Sequence, residues 1–178
     1  MNPPNPSTAV AGGHFDAFIH FDEIKGESTD SKFKDEIELL SFDHTVQQAA
    51  STVASSSGGA SAGRVEFGRF IINKQFDIAS PKLMEYCVRG KHIANVWVKM
   101  RRSGGDQHEF YRMEFKDVMI TSIHKTAGMH GGETLPTERI EFVYSTYGET
   151  YTKQSRQGGG QSGSIGFGWD LNKNAPSA

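Results

Sequence analysis

Apolar and polar residues alternate along much of this chain, and the alternation predicts strands. Phe15, Ala17, Ile19 and Phe21 take one parity and Asp16, His20 and Asp22 the other, as a half-buried strand requires. Phe18 interrupts the polar side, so that side is not simply wet. Between Glu36 and Gln47 the apolar set changes face: Ile37 and Leu39 share one parity, Leu40, Phe42 and His44 the other. A switch at Leu39-Leu40 predicts either a bulge or a strand that crosses between two sheets. Phe42 and His44 then point toward the core, and Ser41 and Asp43 away from it. Arg64 to Lys74 is apolar enough for another strand. Val96, Val98 and Met100 alternate with Trp97, Lys99 and Arg101, and Ser103-Gly104-Gly105-Asp106 predicts a tight hairpin. The return strand, from about His108 to Ile123, shifts parity between Phe115 and Val118. Ile140, Phe142 and Tyr144 mark a further strand. Ile165, Phe167, Trp169 and Leu171 alternate with Gly166, Gly168 and Asp170, a closing strand with small residues on one side.

One helix is predicted. Ser80 is suited to cap the first free amides, and Pro81 fits the first helical position because it has no N–H to leave unpaired. Leu83, Met84, Cys87 and Val88 fall on one helical face, and Gly90 suits the left-handed residue that ends a helix. Between these elements, Lys25 to Ser31 is a polar, turn-rich connection. Ala49 to Gly63 is an Ala/Ser/Gly run read as a long exposed loop, a type that is usually functional or disordered. Lys125 to Pro136 and Arg156 to Gly163 are Gly-bearing loops. One helix among roughly seven strands predicts an all-β sandwich or barrel with a helix attached.

Composition narrows the class. The 178 residues suffice for one domain, and 36% hydrophobic with 22% charged residues describe a globular chain. No apolar run approaches the roughly 20 residues of a membrane-spanning helix. Residues 1–14 lack the basic and apolar regions of a signal peptide and read as a flexible tail, leaving one domain over 15–174. A net charge of −2 gives nucleic-acid binding no electrostatic footing. The single cysteine, Cys87, excludes an intramolecular disulfide and is compatible with a reducing cytosol.

Candidate chemistry is thin. Gly158-Gly159-Gly160-Gln161-Ser162-Gly163 has the letters of a dinucleotide fingerprint, but a strand follows it where a helix should. Ser162-Gly163-Ser164-Ile165-Gly166 lacks the first glycine and the helix of a nucleophile elbow. None of the seven histidines forms a metal-binding pair; His124 and His130 read as solvated. Glu36 and Glu38 share a strand face about 7 Å apart, which suits a catalytic carboxylate pair, but a solvated acidic face is the plainer reading. Cys87 reads as packing on its helix. No catalytic residue, metal or cofactor is expected.

Three stretches in order resemble the haemolysin-coregulated protein (Hcp) family of type VI secretion tube proteins. They are Phe18-Ile19-His20-Phe21-Asp22-Glu23-Ile24-Lys25-Gly26-Glu27-Ser28 leading into Glu36-Ile37-Glu38-Leu39-Leu40; Ser80-Pro81-Lys82-Leu83 continuing to Cys87, Gly90, Lys91 and His92; and Gly168-Trp169-Asp170-Leu171 with Asn174. The resemblance spans nearly all of residues 15–174. It implies a β-barrel of two sheets with a flanking helix, like a phage tail tube. It also implies homohexameric rings that stack into the inner tube, contacts with spike and sheath components, and effector cargo in the ring lumen. Synthesis in the bacterial cytoplasm and secretion through the machine without a signal peptide follow from it, with no membrane insertion. A ring-shaped carrier or chaperone of effectors is the alternative. Within that frame Ser41 and Asp43 are expected to face the lumen, with outside solvent the plain alternative. The small residues Ser55, Ser56, Ser57, Gly58, Gly59, Gly128, Gly131 and Gly132 are expected in ring-stacking loops. The 1–14 tail and the make-up of the 49–63 loop depart from the family pattern.

Overall fold

A computed structural model describes residues 15–50, 62–102, 108–128, 136–154 and 161–177. In chain order the described elements are β1 (Phe15–Phe21), β2 (Ile37–Glu38), β3 (Ser41–Asp43), β4 (Val46–Ala50), β5 (Ala62–Phe67), β6 (Phe70–Gln75), α1 (Ser80–Arg89), β7 (His92–Arg102), β8 (Glu109–Thr126), β9 (Thr137–Val143), β10 (Thr146–Gln154), β11 (Gln161–Asp170) and β12 (Ala175–Pro176). Ten strands share one bent sheet; β4 and β5 form a separate antiparallel hairpin.

The bend has two local causes, and each is a parity change in the sequence. Strand β8 belongs to both layers. Its first half pairs with β7 and β10, and its second half pairs with β9. Between them Asp117 adopts φ 53°, a left-handed conformation that turns the strand and moves the inward set from Met113 and Phe115 to Val118 and Ile120. At Leu39-Leu40 the chain passes from one layer to the other: β2 pairs with β1, β3 with β6. Leu39 N donates to Ala17 O and Leu40 N to Asn73 O, both at 2.9 Å. Of the two readings of this switch, the crossing is correct. Leu40 itself ends on the surface, while Phe42 stacks on Phe70 with ring centroids 5.6 Å apart. The result is the expected mainly β barrel with one helix, although its two layers are not closed by a continuous ladder.

The core lies between the layers. Phe70, Phe115 and Phe142 are fully buried, with Phe70 4.7 Å from Phe115 and 5.3 Å from Phe142 between centroids. Ile19, Phe21, Val96, Val98 and Ile140 are among the residues packed around them.

The helix departs from its sequence reading at both its start and its face. Ala79 is the N-cap and no side chain caps it. Ser80 is instead drawn into a buried polar cluster, where its Oγ donates to Glu138 Oε1 at 2.6 Å. Lys74 Nζ, with no exposed side-chain surface, reaches the same Glu138 oxygen at 2.8 Å and Asp77 Oδ1 at 2.7 Å. The buried face is Leu83 with Tyr86, not the line from Leu83 to Val88. Tyr86 hides its ring and donates its hydroxyl to Glu23 at 2.8 Å, while Val88 lies in solvent and Cys87 packs partly against the core. Gly90 ends the helix at φ 59°, with Gly90 N on Cys87 O and Lys91 N on Tyr86 O.

Phe18 breaks the polar side of β1 because the connection from Ile24 to Glu36 folds over that side. Phe33 stacks on Phe18 at 4.8 Å. Arg101, buried, bonds Asp16 and Asp30, and Lys99 bonds Glu36. Glu36 is therefore a buried ion-pair partner, not half of a solvated acidic face, and Glu38 alone is exposed. Gly26 makes the close approach possible: a Cβ there would run into Glu36 O.

Candidate assembly surface

Strands β8, β10 and β11 run in register, so their side chains form rows across one face. Phe115, Tyr147 and Trp169 make one row; Met113, Glu149 and Phe167 the next; Tyr111, Tyr151 and Ile165 the third. Burial falls steadily along and across these rows. Phe115 and Tyr147 belong to the core, while Tyr151 is 44% exposed, Phe167 51% and Ile165 74%. An apolar sheet face thus runs out of the core into solvent, and such a face is a candidate for interaction. Val46, on the hairpin, is a further exposed apolar residue beside it.

Glu149 sits within this face because two tyrosines serve it. Tyr111 and Tyr147 both donate to Glu149 Oε2, at 2.5 and 2.6 Å. Burial first, and then the carboxylate, pushes the Tyr111 hydroxyl up to about 12 and raises Tyr147 further. The two hydroxyls stay protonated donors at any physiological pH.

The β4–β5 hairpin packs across the buried end of the same face and leaves a cleft of about 520 Å³. His44, Val46, Phe67, Tyr147, Phe167 and Trp169 are among its walls. Arg64 ties the hairpin to the chain after β11 through Leu171 O at 3.0 Å. At the hairpin neck, His44 Nε2 lies 2.6 Å from Tyr144 Oη, Tyr144 donates to Gly68 O at 3.2 Å, and Gly68 N donates to Thr45 O at 2.8 Å.

The opposite face of β10 and β11 carries small and polar residues. Gly148 pairs directly with Gly168, and Thr150 with Gly166. They floor a shallow trough of about 320 Å³ that Glu114 and Lys116 flank. The outward side of the β3–β6–β9 layer is also polar. There Ser41 Oγ accepts from Asn73 at 2.9 Å, and Arg139 and Arg69 both pair with Glu141.

Ser41 and Asp43 are exposed on β3, with Phe42 and His44 turned inward. Gly128 is exposed just after β8. Ser55, Ser56, Ser57, Gly58, Gly59, Gly131 and Gly132 lie outside the described residues, as do residues 1–14, His130, the Ser103 to Asp106 stretch expected to form a hairpin, and Gly158 to Gly160. Ala49, Ala50, Ala62 and Gly63, read from sequence as loop, are strand. Gln161 to Gly163 belong to β11, so no helix follows the glycine run. Sequence reasoning missed β10 altogether. Tyr147, Glu149 and Tyr151 alternating with Gly148, Thr150 and Thr152 would have found it.

The geometry offers little for covalent chemistry. The nearest likeness to a triad joins His92 Nδ1 to Asp117 Oδ1 and Ser145 Oγ to Asp117 Oδ2, both at 2.6 Å. The carboxylate occupies the middle, so the imidazole is not placed to take the serine proton, which a Ser-His-Asp relay needs. Among the described residues no group of three or more metal-ligating side chains converges, and no helix is long and apolar enough to cross a membrane.

Comparison with known proteins places this fold. Residues 18–151 match the family model described as type VI secretion system effector, Hcp. Protein hcp1 of Pseudomonas aeruginosa is 30% identical over 160 residues, covering 89% of this chain and 96% of that protein. A solved structure of a type six secretion system protein superimposes with a TM-score of 0.86 at 28% identity, covering 92% of this chain and 100% of the other. The crystal structure of Hcp1 from Salmonella typhimurium gives 0.74 at 29% identity, with the same coverage. The match defines a type VI secretion protein, a tube or effector component of a structural rather than enzymatic class. The chain belongs to the Hcp family.

Proposed function

We propose that the chain is a subunit of the type VI inner tube, forming homohexameric rings that stack and leave the cell with effectors. The observation that carries this reading is the half-open apolar face of Tyr151, Phe167 and Ile165. A neighbouring copy that covered it would complete the burial the barrel leaves unfinished, and a contact between two different patches closes into a ring when the rotation allows. One domain over residues 15–174 builds the ring wall, with residues 1–14 as a tail.

The polar outward side of the β3–β6–β9 layer lines the channel, with Ser41 and Asp43 facing cargo. Its polar residues leave no large apolar patch to trap unfolded chains. The loops holding Ser55 to Gly59 and Gly128, Gly131 and Gly132 make ring-to-ring contacts, and spike and sheath components and effectors are the further partners. Sedimentation of the wild type beside an Ile165→Thr/Phe167→Thr variant tests the reading. The wild type should run at the hexamer mass and the variant as smaller species.

A further inference from the structure

Helix α1 is buried on one side only. Leu83 and Tyr86 turn inward, so at about 3.6 residues per turn Pro81, Glu85 and Val88 fall on the side facing away from the barrel. Ile78, just before the helix, is 68% exposed, and Val88 is 78% exposed. Two cations flank this side and share one carboxylate: Glu85 accepts from Lys82 at 2.9 Å and pairs with Arg89 at 3.4 Å. The outer face of the helix is therefore partly apolar, with a surplus of positive charge.

The open sheet face has the complementary character. Tyr151, Ile165 and Phe167, with Val46 nearby, lie around one carboxylate. Glu149 pairs across the ladder with Phe167 and is two residues from Tyr151. Both tyrosine hydroxyls that serve it fall on Oε2, and among the described residues no donor reaches Oε1.

We propose that the outer face of α1 in one copy covers the open sheet face of the next, with Arg89 reaching Glu149. This pairing rests on the ring reading above and names the surface that meets the sheet. A helix laid on a sheet is a general way for both to bury an apolar side. The dimensions agree: ten helical residues at about 1.5 Å each span about 15 Å. The rows from Ile165 to Trp169, four steps at about 3.3 Å, run about 13 Å. Both faces are exposed in the single chain, so they meet only between copies. They belong to different elements, so the contact is heterologous, as ring closure requires; the sheet face meeting its own copy would stop at a dimer.

Cross-linking of the full-length chain tests the contact. Val88→Cys and Ile165→Cys are combined in a Cys87→Ala background, which leaves only the two new thiols, and treated with a short flexible bis-maleimide. Both positions are exposed, so the subunit should stay folded. The result expected is that most chains leave the monomer band for a ladder ending at the hexamer. Co-expression of the two single variants should give dimers and nothing larger. A Leu40→Cys/Ile165→Cys control, which places the first thiol on another exposed surface, should stay largely unlinked. A Val88→Cys/Ile165→Cys protein that forms rings in electron micrographs but stays unlinked overturns the helix as the covering surface and leaves the ring reading intact. A ladder equally strong in the Leu40→Cys control also overturns the pairing. A parent protein that is monomeric throughout overturns the ring reading and this pairing with it.

Discussion

Replacing Ile165 and Phe167 with threonine should take the rings apart while leaving each subunit folded. Ile165 is 74% exposed and Phe167 51%, so in the isolated subunit Ile165 has little to lose and Phe167 only its covered half. Threonine suits a strand as well as either residue, so the isolated subunit loses little at Ile165 and about 1 kcal/mol at the half-covered Phe167. In the ring the same positions matter more. Fully burying an Ile or Phe side chain contributes about 1.5–3 kcal/mol. With three quarters of Ile165 and half of Phe167 still to be covered, the pair contributes about 2–4 kcal/mol per interface. At 1.4 kcal/mol per tenfold, that weakens each interface roughly 30- to 700-fold. A subunit in a ring has two interfaces, so the loss is compounded. The assay is sedimentation velocity over a dilution series, with far-ultraviolet circular dichroism as the check on folding. A folded double variant that holds the wild-type mass at every dilution would refute the reasoning, because this face would then be surplus to assembly.

Three further expectations follow from particular side chains. Lys74→Met leaves Glu138 and Asp77 without the cation at 2.8 and 2.7 Å and should destabilise the fold by about 3–5 kcal/mol in urea unfolding at fixed protein concentration; a Lys74→Met/Glu138→Leu pair should recover much of this. Exchanging Ser55 to Gly59 for a bulky charged segment should preserve rings and abolish tubes in micrographs, and normal tubes would move the stacking contact elsewhere. Asp43→Arg should keep the hexamer mass but change which effectors co-purify with the rings; loss of rings would place Asp43 in an interface instead of the channel.

What the sequence discloses depends on how local the cause is. β1, β7 and the first half of β8 are legible because their inward residues are uniformly apolar at period two. The crossing at Leu39-Leu40 and the turn at Asp117 are visible as parity changes, since a single irregular residue reverses every later side chain. β10 is not legible in the same way, because the middle of its inward row is Glu149, and the hydroxyls that shelter it come from Tyr147 and from Tyr111 on another strand. Nothing local in the sequence pairs Lys74 with Glu138, which the fold places 2.8 Å apart in a buried cluster. Ser80 looks like a cap because its partner in that cluster is 58 positions away. The inward direction of His44 is legible from parity, whereas its bond to Tyr144, 100 residues on, is a product of the fold. The family is legible in short motifs, but the open face of Ile165 and Phe167 is not. Alternation marks those residues as inward, and only the structure shows that nothing within the described chain covers them.

The central claim is that this chain builds rings, and class-averaged electron micrographs of the purified protein, with mass by light scattering on the same sample, test it most directly. The account predicts six-fold rings with an open centre and a mass six times the 19.6 kDa chain, without added ligand or metal. Solid particles at monomer mass at micromolar concentration would contradict it.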